Sequence, residues 1–401
     1  MPVWGDDPAV LRCDHRPPAP ARHQSKDELR SNASSPAPTP TPTRHQSKEE
    51  PGGRPEAGDR RAGRARPAAE VLGWSRRLLQ PALRDAVETL PDAARGIAAY
   101  HFGWSDERGL PASGAGGKAI RPALALLAAE AVGGTAAAAL PAAVAIELAH
   151  NFSLLHDDVM DGDLTRRHRP TAWSVFGANA AILTGDALLA AAFEALAAEP
   201  SPVVTRAVRT LSRAVLDLIE GQSADLAFEE RADVTLDECL TMAGRKTGAL
   251  LGAACALGAA YGGGTTGQCA HLRAFGERLG LAFQLVDDLL GIWGVPEVTG
   301  KPVHSDLHSR KKSLPVVAAL TSATPAGEEL AALYLRDDAL TGDDLSRAAA
   351  LIDAAGGRTW AATQAAALLT QAVTALDAAA PAPVTAAELR TLARLIAHRD
   401  H

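Results

Sequence analysis

The chain has 401 residues, a formal net charge of −7, 47% hydrophobic residues and 22% charged residues. That length permits one large domain or two smaller ones, and the mild acid excess argues against a general nucleic-acid binder, which carries a basic surplus. Four cysteines (Cys13, Cys239, Cys255 and Cys269) form no C-x-x-C pair. This excludes a dense disulfide framework and a zinc ribbon, and suits a reducing cytosol.

The chain opens on MPVWGDDPAV, without the basic and apolar regions of a secretory signal. Residues 1–68 hold 12 of the 26 prolines, with 12 Lys/Arg against 9 Asp/Glu. The run from Ser34 to Thr43, SSPAPTPTPT, cannot form a helix and buries little, so this extension is expected to be disordered. It repeats a short segment, Arg22-His23-Gln24-Ser25-Lys26 and Arg44-His45-Gln46-Ser47-Lys48. Two weak copies on one tether suit avid binding to a partner, whereas duplication without function explains them equally well.

From Val71 the apolar spacing turns helical, through Leu72, Leu78, Leu79, Leu83, Val87 and Leu90. Helices are then predicted over 121–132, 141–161, 172–198, 202–229, 235–259, 268–291, 312–321, 343–354, 357–379 and 385–397, punctuated by Pro and Gly. Residues 247–272 lack Asp, Glu, Lys and Arg, but Gly262-Gly263-Gly264 interrupts them, which predicts a buried helix and a loop rather than a transmembrane segment. No strand alternation, Rossmann fingerprint or P-loop frame occurs. With aromatics at 4% and abundant Ala, the expectation is all-α: one large helical bundle over residues 69–401.

Two acidic motifs end apolar helical stretches. The first is Asp157-Asp158-Val159-Met160-Asp161, in which Asp157 and Asp161, at i and i+4, share a helix face. Such carboxylates repel each other and oppose the helix dipole unless a cation joins them; Mg2+ takes oxygen ligands and keeps positions for water or phosphate. The second is Asp287-Asp288, after Phe283-Gln284-Leu285-Val286. Lys118, Arg121, Arg166, Arg167, Lys246, Lys301, Lys311 and Lys312 accompany them. Together these residues suit two anionic groups, one held through metal and one by direct Lys/Arg contacts.

The ordered set resembles the trans-isoprenyl diphosphate synthase family, and within it the geranylgeranyl diphosphate synthases. The resemblance rests on Gly117-Lys118-Ala119-Ile120-Arg121-Pro122, His150, Asp157-Asp158-x-x-Asp161 and Arg166-Arg167. It continues in Lys246-Thr247, Gln284, Asp287-Asp288, Gly300-Lys301 and Lys311-Lys312-Ser313-Leu314-Pro315. It spans about residues 70–400, with Ala119 where the family often has Arg and Gly291 where the second motif usually ends in Asp.

The resemblance implies the helical isoprenoid-synthase fold with a central cavity, a homodimer, and condensation of isopentenyl diphosphate with an allylic diphosphate. It implies Mg2+, three ions with the allylic substrate bound, on Asp157, Asp158, Asp161, Asp287 and Asp288. By the same match Arg166, Lys246, Lys301 and Lys311 contact the allylic diphosphate; Lys118, Arg121, His150 and Arg167 hold isopentenyl diphosphate; Thr247 and Gln284 border the carbocation. Lys312 competes with Lys311 for its role. Phe152 lies roughly 7.5 Å below Asp157 at about 1.5 Å per residue, and beside small Ser153 it is placed to floor the hydrocarbon channel. That pattern, without an insertion, resembles C20 synthases, with a C15 product as the alternative. A class I terpene cyclase shares the first motif, but residues 287–295 do not fit its second. A non-catalytic subunit on the same fold usually loses aspartates that this chain retains. The tail resembles those on prenyltransferase cargo of encapsulin shells, which would add a shell protein as partner to a cytoplasmic enzyme.

Overall fold

The computed structural model describes residues 63–112, 117–198, 200–296, 303–334, 336 and 338–397. The repeat and shell-protein readings, and Lys301, lie outside the described residues.

Pro67 precedes α1 (Ala68–Glu88), whose Val71, Leu72, Ser75, Leu79, Leu83 and Val87 line its buried face. After α2 (Asp92–His101), helices α3 (Ile120–Ala131) and α4 (Leu140–Met160) are buried along nearly their whole length, which small Ala side chains permit. A hairpin of β1 (Thr165–Arg166) and β2 (Arg169–Pro170) follows. Arg167 and His168, its two turn residues, have φ of 52° and 62°. Two consecutive left-handed residues make the tight turn that matches strand twist. An Arg-His pair is a poor sequence signal for such a turn, so no strand was expected here.

The stretch 172–198, read from sequence as one helix, is two: α5 (Ala172–Phe176) and α6 (Ala178–Ala197). Gly177, at φ 90°, breaks the ladder between them. Next come α7 (Val204–Glu229) and α8 (Leu236–Ala243), then a π-turn over Gly244–Gly248 that runs into α9 (Ala249–Tyr261). α10 (Thr266–Trp293) follows the glycine link, and α11 (Ser305–His308) and α12 (Leu314–Leu320) lie beyond its end. The chain closes with α13 (Pro325–Tyr334), α14 (Gly342–Ala354), α15 (Gly357–Ala378) and α16 (Pro383–Ala397). Thr235 with Glu238 and Thr265 with Gln268 form capping boxes that fix the starts of α8 and α10.

The architecture is all-α, as expected, and the described residues pack as one unit. α10 packs against α9 and α15, α4 against α6, and α3 against α9. Arg66, just ahead of α1, grips buried Glu388 of α16 through Nε and Nη2, both at 2.7 Å. Two helical stretches, Ala137–Met160 and Ala178–Ala197, are long and apolar enough to cross a bilayer. The first is 72% buried inside the bundle over its most apolar window and the second only 39%. Buried α9 accounts for half of the uncharged stretch 247–272.

Candidate active site

Asp157 and Asp161 occupy the last turn of α4 and its cap, where the Asp161 N–H donates to the Asp157 carbonyl at 2.8 Å. Partial burial pushes the Asp157 carboxyl up to about 6; Asp161 and Asp158 add to this, and Lys246 and Arg166 oppose it. Burial likewise raises Asp161, with Asp163 and Asp225 adding and Lys246 and Lys311 opposing. The helix therefore ends in charges that its own surroundings do not fully compensate. Asp158 is different. It is only 1% exposed and accepts a 2.6 Å bond from Arg166 Nε, which ties the hairpin to α4.

Lys246 and Thr247 lie in the π-turn, a distortion that recurs at functional sites. Backbones crowd there: a Cβ on Gly221 of α7 would come within 2.4 Å of Lys246 N, and one on Gly280 of α10 within 2.6 Å of Gly248 Cα. These glycines let α7 and α10 close on the turn from two sides. Lys246 Nζ then bonds Asp225 of α7 at 2.6 Å. Thr247 Oγ1 donates to Gln284 Oε1 at 2.7 Å, Gln284 Nε2 donates to Asp288 Oδ1 at 2.8 Å, and Asp288 Oδ2 accepts from Leu314 N at 2.9 Å. Asp287, next in line, is exposed.

The lysine pair is resolved by its partners. Buried Lys312 donates to the carbonyls of Phe228 and Glu229 at 3.2 and 3.4 Å, closing the end of α7. Lys311 instead faces the acidic groups. Burial disfavours its charge, but Asp288, Asp306, Asp225 and Asp287 together outweigh that and hold its ammonium well above the usual range. Lys311 also acts on Asp161, so both acidic helix ends share one electrostatic neighbourhood.

A second basic group lies behind the first motif. Arg121 Nη1 donates to His150 Nε2 at 3.1 Å. Arginine cannot accept, so Nε2 is the bare nitrogen and the proton is on Nδ1. Burial, then Arg121, Arg167 and Arg166, keep His150 well below its ordinary value and neutral. The Arg167 guanidinium rests against Gly117, where a Cβ would come within 2.7 Å of Nη2. Exposed Lys118 follows directly.

His101, at the end of α2, joins this group through Asn151 Oδ1 at 3.2 Å, while Asn151 Nδ2 donates to the Glu147 carbonyl at 2.8 Å. Burial, then Arg167 and Arg166, push His101 down to about 3. Between that value and about 6.5, an unfolded His101 takes a proton that the folded one refuses. Its contribution to stability is thus complete above about 6.5 and shrinks as pH falls towards 3. His101→Gln removes this titration. Wild-type Tm is expected to fall more steeply than the variant's between about pH 6.5 and 4.5; parallel curves would refute this role.

Lys246 thus acts on Asp157 and Asp161, and Lys311 on Asp161, Asp287 and Asp288; Thr247 and Gln284 join this group through Asp288, while Arg121, His150 and Arg167 form the second. Phe152 and Ser153 line α4 below Asp157 and are 6% exposed each. Ser153 Oγ donates to the His150 carbonyl at 2.8 Å. Asp158 and Asp288 are both buried: Arg166 holds the first through one carboxylate oxygen, and Gln284 and Leu314 hold the second. Three participants were missed from sequence: His101, Asp225 and Asp306. Asp225 had a legible signal. Leu211, Ala214, Leu218, Gln222 and Asp225 fall on one face of α7, so two polar residues continue an apolar stripe. Gln222 is 5% exposed, and its amide has no hydrogen-bond partner among the described residues.

The polyprenyl synthetase family model matches residues 111–352. The chain belongs to the polyprenyl synthetase family. It is 49% identical over 334 residues to the (2E,6E)-farnesyl diphosphate synthase of Mycobacterium tuberculosis, covering 82% of this chain and 93% of that one. It is 48% identical over 321 residues to the geranylgeranyl diphosphate synthase of the same organism, covering 80% and 91%. A polyprenyl synthetase structure from Streptomyces coelicolor superposes with a TM-score of 0.79 at 48% identity, covering 82% and 99%. Another, geranylgeranyl pyrophosphate synthase from Corynebacterium glutamicum complexed with isoprenyl diphosphate and magnesium, gives 0.71 at 25% identity, covering 82% and 99%. This polyprenyl synthetase is a trans-prenyltransferase. His101 lies upstream of the segment that the family model matches.

Proposed function

We propose that the enzyme condenses isopentenyl diphosphate with an allylic diphosphate to give geranylgeranyl diphosphate (C20). The observation that carries the condensation is the shared field of the two acidic helix ends, in which Lys246 acts on Asp157 and Asp161 and Lys311 on Asp161 and Asp287; Phe152, buried on α4 below Asp157, supports the C20 length. The donor set fits magnesium: it is all oxygen, and its buried charge is undercompensated. Among the described residues no three ligands converge into a ready-made metal cluster. The proposal is for three ions, which would take most of their ligands from diphosphate and water. When bound, magnesium supplies Lewis-acid stabilisation of the departing diphosphate.

Asp157, Asp161 and Asp287 would hold the ions, and Asp158 and Asp288 would orient the helix ends. Lys246 and Lys311, with Arg166 and Lys301, would bind the allylic diphosphate. Lys118, Arg121, Arg167 and neutral His150, donating through Nδ1–H, would hold isopentenyl diphosphate at its own basic site. Thr247 and Gln284, locked to each other and to Asp288, would present fixed dipoles to the allylic cation rather than mobile water. Labelled isopentenyl diphosphate, given with each of three allylic primers and Mg2+, is expected to yield C20 product and none in EDTA. Turnover that survives EDTA would overturn the reading. The 49% identical farnesyl diphosphate synthase favours a C15 product as the second reading, and a wild-type product ending at C15 would establish it.

A homodimer is part of the proposal. Adjacent helices α6 and α7 expose Ile182, Leu183, Leu216 and Ile219, the largest exposures being 67% and 63% at Leu183 and Leu216. A second copy covering this face would explain apolar residues there. Sedimentation of the full chain is expected to show a dimer that Leu183→Glu with Leu216→Glu converts to monomer. A monomeric wild type at micromolar concentration would count against it.

A further inference from the structure

The second acidic helix lacks a carboxylate one turn beyond Asp287, because Gly291 stands there. Positions 287 and 291 are i and i+4, so a side chain at 291 would share the face of Asp287. That space is filled from elsewhere. A Cβ on Gly291 would lie 2.2 Å from Oδ2, 2.4 Å from Cγ and 2.7 Å from Oδ1 of Asp306.

The segment around Asp306 is fastened to this place. His304 turns the chain at φ 65°, Ser305 Oγ donates to the Gly291 carbonyl at 3.3 Å, and Lys311 N donates to the Asp306 carbonyl at 2.9 Å. Asp306 also shares the field of Lys311 with Asp287 and Asp288. Gly291 is thus the notch that admits a carboxylate returned by a residue fifteen positions later.

We propose that Asp306 supplies the missing carboxylate of the second acidic motif and, with Asp287, holds magnesium on that side of the diphosphate. This rests on the metal-dependent reading above. A one-turn gap in the helix is closed from the short helix α11, so the motif is complete in space though not in sequence.

The test is Mn2+ binding to the purified full chain with inorganic pyrophosphate, read by electron paramagnetic resonance of the free ion, with folding checked by circular dichroism. Asp306→Asn is expected to weaken one bound ion by about tenfold or more. Gly291→Ala keeps every charge but pushes the Asp306 carboxylate aside, and is expected to weaken the same ion. Gly291→Asp combined with Asp306→Asn restores it, because the helix then supplies its own carboxylate. Unchanged ion binding in Asp306→Asn and Gly291→Ala, or no recovery in the double variant, overturns the proposal. So does tighter metal-free pyrophosphate binding by Asp306→Asn with the ion count intact, since Asp306 would then only balance Lys311. Wild type without any pyrophosphate-dependent Mn2+ would instead defeat the metal reading of the whole site.

Discussion

Asp157→Asn is expected to lower kcat about a thousandfold or more while leaving the protein folded. The side chain keeps its size and loses only its charge. In the proposed reaction that charge positions the cation that stabilises a leaving diphosphate, and losing one such electrostatic contact costs rates of this order. The same charge burdens the metal-free protein, because it is partly buried beside Asp161 and Asp158. Metal-free Asp157→Asn should therefore melt no lower than metal-free wild type. Added Mg2+ with pyrophosphate should raise Tm in wild type and much less in the variant. Steady-state kinetics together with thermal melts separate these effects. A variant that loses activity by unfolding would show a lowered Tm, and one with near-normal kcat would remove Asp157 from the machinery.

Phe152→Ala is expected to change the product class, lengthening the chain beyond the wild-type product, from the proposed C20 to C25 and longer. The ring lies one and a half turns below Asp157 on α4, buried, and is not left to find its own position. His156 packs on it edge-on with centroids 4.8 Å apart. His156 Nε2 is 3.0 Å from the Ile182 carbonyl of α6, and a Cβ on Gly185 would come within 2.3 Å of it. Gly185 thus admits the imidazole, and the imidazole braces the phenyl ring. Gly185→Ala should displace the imidazole and broaden the product distribution towards longer chains, with a smaller effect than Phe152→Ala. Chromatographic sizing of the products decides. Unchanged chain length in Phe152→Ala would remove that ring as the floor, and a shift only in Gly185→Ala would move the floor to His156.

The residues legible in the sequence were those whose chemistry is local. Asp157 and Asp161 announce themselves because four residues of helix carry them to one face, so their juxtaposition needs no knowledge of the fold. Most of the helical spans follow from apolar spacing, but α2, α11 and α13 lie outside the predicted ones, and Gly177 and the π-turn each divide a span read as one helix. Lys311 and Lys312 show where such reasoning stops. They are chain neighbours of the same type, yet one faces five acidic groups and the other caps α7.

By itself the sequence determined an all-α bundle and two acidic helix ends with basic companions, because periodicity and short spacings are properties of the chain. Only the tertiary structure decided that Asp161 and Asp287 stay exposed while Asp158 and Asp288 are buried, since the last two get partners from a hairpin and from α12. It also brought Asp225 to Lys246, His101 to Asn151, and Asp306 to Gly291 and Lys311. Each arrives from a separate helix or turn, and proximity between distant segments is set by how helices pack, not by how residues are spaced along one of them.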